Sequence, residues 1–169
     1  MLLPAQERNF VSGETALFSD LVAVGEARSH TTLPISLRNF LVSCLVEHLS
    51  DPAIVHQVLA LNFLESSHKT GASLVAILRR SGDASLILAG LFPERALRLN
   101  VSSAYFRMMG QSFYGSLAAY LESGSTFERG RFYNEVACGF EALERVLNGA
   151  RGKAENEWMA FQRFRARLT

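Results

Sequence analysis

Apolar residues recur at every third or fourth position along almost the whole of this 169-residue sequence, and no other feature limits the fold so strongly. That spacing places apolar side chains on one face of an α-helix, whereas a half-buried strand needs apolar and polar residues to alternate. No stretch alternates for long enough to form a convincing strand. We therefore predict an all-α fold, a single-domain bundle of about seven or eight helices over residues 1–169.

Caps and helix breakers divide this pattern into segments. We predict a first helix from Ser12 to about Gly25, with Glu14 and Glu26 on its outer side, and a break at RSHTTLP. A second helix begins near Pro34, because the first helical turn does not need the N–H that proline lacks.

The segment DPAIVHQVLALNFLESSHKTG has the clearest helix limits in the chain. Asp51 can cap the first turn, Pro52 suits the first helical position, and Gly71 can provide a left-handed stop. A helix over residues 52–68 is the prediction.

Glycine and proline also break the pattern that follows. Gly82 ends ASLVAILRR and Asp83 opens DASLILAGL, which predicts a corner between two helices. Pro93 cannot continue the second helix and disfavours helical geometry at Phe92, so the chain turns at AGLFPER. We expect Leu91 and Phe92 to be buried beneath that turn.

The next predicted helix spans about 102–122, with Ser102 or Ser103 as its cap. Gly110 and Gly115 each lower its intrinsic stability by about 1 kcal/mol relative to alanine. Such glycines are best explained by the close approach of another helix or of a bound ligand.

Two final helices complete the prediction. STFERGRFYNEVACGFEALERVLNG reads as one long helix that stops at Gly149, and residues 153–168 form an amphipathic C-terminal helix docked on the domain. Basic and aromatic side chains alternate in that last segment, as in helices that face nucleic acid or lipid. However, acidic residues lie in the first half of the segment and basic residues in the second, as the helix dipole favours, and the aromatic residues have the spacing of a core-facing side. These features favour a docked helix whose other face is solvated.

Composition argues against several kinds of partner. Seventeen basic and 16 acidic residues give a formal net charge of +1, which disfavours a nucleic-acid backbone. Apolar runs such as LILAGLF are far shorter than the roughly 20 residues of a membrane helix, and MLLPAQERNF does not resemble a signal peptide. Cys44 and Cys138 fall within apolar helical patterns, as small core residues in a reducing compartment. These features predict a cytoplasmic protein.

The composition also points toward a partner. Hydrophobic residues make up 49% of the chain, and the mean hydropathy is +0.12. Either the core is unusually complete or an apolar surface is reserved for another molecule.

The motif Glu65-Ser-Ser-His68 is the strongest candidate for a metal site. E-x-x-H places a carboxylate and an imidazole one helical turn apart, as in di-iron helical bundles, but such sites need a second copy of the motif. The sequence has no second copy. We favour the alternative that His68 interacts with the last carbonyls of its helix, and we predict neither a metal nor another cofactor.

Two further groups of residues are candidate sites. The helix over 102–122 is rich in aromatic and sulfur-containing side chains, so an apolar ligand between helices is one interpretation and ordinary core packing is the other. The candidate pocket residues are Tyr105, Met109, Phe113 and Tyr114. After the turn at Pro93, the charged residues Glu94, Arg95 and Arg98 either pair locally or face a partner.

A resemblance is carried by DASLILAGLFPER at 83–95, YF at 105–106, MG at 109–110 and YGSLA at 114–118. This combination resembles a family of uncharacterised, mainly proteobacterial, all-helical proteins. The resemblance implies a cytoplasmic helical protein and assigns no activity, catalytic residue or binding residue.

The function we predict is a non-enzymatic helical domain that acts through protein contacts, as a homo-oligomer or by binding another protein. The sequence contains no G-x-S-x-G motif and no phosphate-binding loop. One alternative is a binder of a small apolar ligand, and a second is a metal-dependent oxidoreductase that uses Glu65 and His68.

Overall fold

The computed structural model describes residues 5–48, 51–102, 104–151 and 166, with side chains from residue 13 onward. Within these ranges the chain forms eight α-helices and one 3-10 helix, and no strand, which confirms the all-α prediction and the predicted number of helices. The elements are α1 (Ala5–Ser29), α2 (Ile35–His48), the 3-10 helix (Pro52–His56), α3 (Leu59–Ser66), α4 (Gly71–Leu91), α5 (Arg95–Arg98), α6 (Tyr105–Leu121), α7 (Phe127–Cys138) and α8 (Phe140–Ala150).

The chain divides into two compact units. The terminal unit comprises residues 1–52 and 145–169, and the central unit comprises residues 53–144. In the terminal unit α1 packs against α2, and in the central unit α4 packs against α3 and α6, and α6 against α7. The boundary between the units falls within α8.

The first helix is longer than predicted, because α1 begins at Ala5 and Ser12 lies inside it rather than at its cap. The predicted break at RSHTTLP is confirmed, since α1 ends at Ser29 and His30 adopts a left-handed φ of 51°. Helix α2 follows Pro34, whose carbonyl accepts a 2.9 Å hydrogen bond from the N–H of Arg38.

Glu26 lies on the inner side of α1, which corrects the prediction that it faces solvent. The residue is 8% exposed, and its carboxylate accepts a 2.8 Å hydrogen bond from the N–H of Leu33 and an ion-paired one from Arg38. A carboxylate can be buried when such donors replace water. The local sequence pattern contains no sign that the turn after α1 folds back over this side chain.

The single helix predicted over residues 52–68 is wrong. A 3-10 helix occupies the beginning of that range, Val58 is extended with φ −90° and ψ 90°, and α3 ends at Ser66. In a continuous α-helix the carbonyl of Val55 would accept the N–H of Leu59. Here that carbonyl accepts a 2.7 Å hydrogen bond from Nη1 of Arg95, 40 residues away in the sequence.

Helix α4 is continuous, so the corner predicted at Gly82 and Asp83 is also wrong. Both residues are buried in the middle of the helix. The ring of Tyr114 packs so closely against Gly82 that an added Cβ atom would overlap it. Close packing of α6 on α4 offsets the intrinsic cost of a helical glycine, which is about 1 kcal/mol.

Both ends of α4 lie near the helix breakers that the sequence predicts. Gly71 has the predicted left-handed conformation, with φ 61°, and is the first residue of α4. Helix α4 stops two residues before Pro93, and Leu91 and Phe92 are buried there, as predicted.

The long helix predicted up to Gly149 is in fact two helices, α7 and α8. The helix is interrupted at Gly139, where φ is −86° and ψ is 3°, outside the α-helical region. The next residue, Phe140, is fully buried with its ring 6.1 Å from that of Tyr114. Gly149 lies inside α8 rather than after it, because it packs against Gly25 of α1.

The two glycines of α6 have different environments. A Cβ atom added to Gly110 would overlap the ring of Phe140 and touch Ser85 of α4, so the predicted close approach is confirmed there. Nothing lies within 4 Å of the equivalent position at Gly115, so none of the described helices approaches that residue closely.

Some predictions lie outside the described residues. These are the C-terminal helix over about 153–168, apart from Ala166, and the cap at Ser103. Helix α6 follows Ala104 and has no side-chain cap, so the alternative cap at Ser102 is not formed.

Candidate functional site

The largest group of exposed apolar side chains in the described part of the central unit lies on and around α3. Among the described residues, 11 large apolar side chains are exposed, and four of these fall between residues 58 and 64. Val58, Leu61 and Leu64 are 57%, 60% and 62% exposed, and Phe63 is 47% exposed. Val58 directly precedes α3, and Leu61 and Leu64 follow it at intervals of three residues, so Leu61 and Leu64 are neighbours on the helix surface and Val58 stands at its amino-terminal end. We call these three residues the α3 ridge.

The opposite side of α3 is anchored in the central unit. Leu59 is its one buried residue, and the Asn62 side-chain amide donates a 3.1 Å hydrogen bond to the hydroxyl of Ser81 on α4. The ring of Phe63 meets the buried ring of Phe113 edge-on, with centroids 6.1 Å apart. The α3 ridge is therefore held outward by contacts on the other side of the helix.

Charged side chains stand at both ends of the ridge. At the amino-terminal end, Nη1 of Arg95 donates to the carbonyl of Val55 and lies 3.3 Å from Nδ1 of His56. At the carboxyl-terminal end, Glu65 forms a 3.0 Å ion pair with Lys69. An apolar strip between charged ends is a common arrangement in protein contact surfaces.

The structure places the predicted partner-surface residues near the amino-terminal end of this ridge. Arg95 is half-buried by its contacts with Val55 and His56, Glu94 is half-buried, and Arg98 is exposed. Leu97 and Leu99, which alternate with them, are 83% and 58% exposed. Arg95 thus has a structural contact, whereas the residues that follow it extend the exposed apolar surface.

The four candidate pocket residues lie on α6, and two of them belong to the core. Tyr114 is fully buried: its ring stacks on that of Tyr133 at 6.1 Å, and its hydroxyl donates a 2.6 Å hydrogen bond to Asp83. Phe113 is also fully buried, and Tyr105 and Met109 are half-buried. Other protein groups therefore contact both the ring and the hydroxyl of Tyr114.

An open hollow of about 510 Å³ lies elsewhere, along the outward side of α7. The free thiol of Cys138 is exposed there, which corrects the prediction that this cysteine is a core residue; Cys44 is buried as predicted. The hollow is lined by Glu128, Arg131, Phe132, Asn134, Glu135 and Cys138, which include none of the candidate pocket residues.

Glu65 and His68 do not share a helical face as the metal hypothesis requires. His68 comes after the end of α3, where its backbone N–H donates a 3.1 Å hydrogen bond to the carbonyl of Glu65. Both side chains are exposed, and the carboxylate of Glu65 pairs with Lys69.

Two polar contacts of the central unit, one buried and one partly buried, could not be found from sequence spacing. One is the hydrogen bond between Tyr114 and Asp83, and the other is a two-bond ion pair in which Arg107 donates to Glu144 at 2.6 and 3.2 Å. The hydrogen bond to Glu144 raises the pKa of Arg107, burial lowers it by less, and the charges of Glu144 and Glu141 raise it further. Arg107 is consequently a permanent cation in this pair.

Comparison with known proteins does not assign a function. The chain matches no family model, no curated protein and no solved structure. Its resemblance to uncharacterised proteobacterial helical proteins stays a prediction. None of the described helices combines the length and apolar character needed to cross a bilayer.

Proposed function

We propose that this chain is a non-enzymatic protein-interaction domain and that the α3 ridge is its contact surface. The observation that carries the proposal is the exposure of Val58, just before α3, and of Leu61 and Leu64 on it. The other side of that helix is anchored by Leu59, Asn62 and Phe63.

The energetics of apolar surface favour this assignment. Each Å² of apolar surface removed from water contributes about 25 cal/mol, so a ridge left in water forgoes stabilisation that a partner can provide. Single exposed apolar residues are ordinary in proteins, whereas a group of them in a short segment marks a contact site. Partners commonly recognise a helix through apolar residues spaced by three and four positions.

The pairing of polar groups within the central unit is consistent with a non-enzymatic role. The hydroxyl of Tyr114 and the carboxylate of Asp83 bond to each other, as do Arg107 and Glu144. Polar groups that bond to each other in this way hold helices together. We propose that the protein acts in the cytoplasm by binding other proteins, not by catalysing a reaction.

The proposal can be tested by replacing Leu64 with the photo-cross-linking residue benzoylphenylalanine in cells that express the chain. We expect a discrete cross-linked protein product, which disappears when Leu61→Asp is added. The matched control carries the same cross-linker at Ile35, which is 69% exposed at the start of α2. The proposal is wrong if position 64 gives no product, or gives the same products as position 35.

A folding control accompanies this experiment. Leu61 is 60% exposed, so Leu61→Asp should leave the circular dichroism spectrum unchanged and the free energy of unfolding within about 0.5 kcal/mol of the original. A large loss of stability would show instead that the ridge is part of the core.

A further inference from the structure

We propose that the partner of the α3 ridge is a second copy of this chain, with the two α3 helices antiparallel about a two-fold axis. This inference rests on the proposed function and adds to it the identity and orientation of the partner.

The apolar pattern of the ridge is symmetric. Val58 and Leu64 stand three residues before and three residues after Leu61, and all three are exposed to a similar extent. In a two-fold interface, each contact of residue i with residue j is repeated with the roles exchanged. If the axis passes beside Leu61, each Leu61 meets its own equivalent, and each Leu64 meets the partner copy's residue 58.

The ends of the ridge complement each other in the same arrangement. Antiparallel pairing brings the carboxyl-terminal end of one α3, with Glu65, to the amino-terminal end of the other, with His56 and Arg95. Glu65 lies four residues after Leu61, or about 6 Å along the helix, and the residue four before Leu61 is adjacent to His56. The Glu65 carboxylate of one copy, which also pairs with Lys69, would therefore face the end of the other copy that carries Arg95, and this arrangement is repeated at both ends of the pair.

Both of these charged groups retain hydrogen-bonding capacity beyond the contacts described. The contacts of Arg95 with Val55 and His56 use Nη1, and a guanidinium has further donors on Nη2 and Nε. Lys69 contacts one oxygen of the Glu65 carboxylate, which has two oxygens and about four acceptor positions.

Long-range charge does not oppose the pairing. The formal net charge is +1 with both signs in nearly equal number, so two copies repel each other little. The ridge is short, and stable interfaces bury about 800 Å² per partner. We therefore expect a reversible dimer with a dissociation constant on the order of micromolar or weaker.

The first test is sedimentation velocity of the full chain over a concentration series. We expect reversible conversion from monomer to dimer, and we expect Leu61→Asp to weaken it by at least about tenfold, because two carboxylates would face each other at the axis. Ile35→Asp, a substitution at an equally exposed site, should leave dimerisation unchanged. A chain that is monomeric throughout, or a dimer that Leu61→Asp leaves intact, would overturn the inference.

The second test determines the orientation by disulfide trapping, in a Cys138→Ser background that removes the exposed native thiol. Under mild oxidation, Leu61→Cys should form a covalent dimer, and a mixture of Val58→Cys and Leu64→Cys chains should form the mixed dimer. Disulfides need Cβ atoms roughly 4 Å apart, so a parallel pair would instead link Leu64→Cys chains to one another. That result, or the absence of any trapped dimer, contradicts antiparallel pairing.

Failure of the inference can be distinguished from failure of the proposed function. If the purified chain is monomeric but the cross-linker at position 64 still captures a different protein that Leu61→Asp releases, the ridge is a contact surface for that protein. If neither dimer nor cross-linked product forms, both proposals are wrong.

Discussion

The hydroxyl of Tyr114 donates a 2.6 Å hydrogen bond to Oδ1 of Asp83, and the two residues are 0% and 2% exposed. This bond joins the middle of α6 to the middle of α4. Its neighbours include the ring of Tyr133, stacked on Tyr114, and Gly82, which lies against the same ring. One tyrosine of α6 therefore contacts both α4 and α7 in the core of the central unit.

We expect Tyr114→Phe to lower the free energy of unfolding by about 1–3 kcal/mol, because it leaves a buried carboxylate without this donor. Urea unfolding followed by circular dichroism measures the change. Tyr120→Phe is the control: its hydroxyl accepts a 3.0 Å bond from the N–H of Gly71 at an exposed position, where water can replace it. Equal effects of the two substitutions would contradict a special contribution from the buried bond.

The two glycines of α6 provide a matched pair of substitutions. Gly110→Ala should destabilise the protein by about 1–3 kcal/mol, because the new methyl group overlaps the ring of Phe140. Gly115→Ala should stabilise it by up to about 1 kcal/mol, because alanine is the better helix former and the site is open. Thermal unfolding of both variants gives the comparison, and a change of the same sign in both would show that packing at Gly110 is not restrictive.

Local sequence signals identified the helices but misplaced several of their ends. The turn at Pro93 was predictable because proline acts on its own backbone and on the preceding residue. Local sequence does not tell which of Gly82 and Gly139 interrupts a helix. The first lies inside a continuous helix against Tyr114, and the second separates α7 from α8. Which glycine interrupts a helix depends on distant side chains.

The candidate surface was only partly predictable for the same reason. The excess of apolar residues indicated an exposed apolar surface, but Leu61 and Leu64 have the same helical spacing as core leucines. Their exposure depends on where α3 begins, and Arg95 donates to the carbonyl of Val55 shortly before that point. A contact between residues 40 positions apart leaves no periodic signal in the sequence.

The effects of replacing Arg107 and Glu144 on the free energy of unfolding should be strongly coupled. We expect Arg107→Met to lower the free energy of unfolding by about 1–3 kcal/mol, since Glu144 is 7% exposed and would lose both described hydrogen bonds. Adding Glu144→Leu should recover part of that loss, because the unpaired buried charge is removed as well. A double-mutant cycle by urea unfolding measures the coupling. Additive losses would mean that the two side chains act independently.

A comparison of Arg95 with Arg98 tests how the amino-terminal end of α3 is held. Arg95→Ala removes the donor to the carbonyl of Val55, and we expect a loss of about 1–2 kcal/mol with faster amide exchange over residues 54–62. Arg98→Ala, at an exposed position three residues later, should change stability by less than about 0.5 kcal/mol and leave that exchange unaltered. Hydrogen exchange measured by mass spectrometry resolves the segment directly. Unchanged exchange in Arg95→Ala would show that other contacts determine where α3 begins, and that this bond is incidental to the exposure of the ridge.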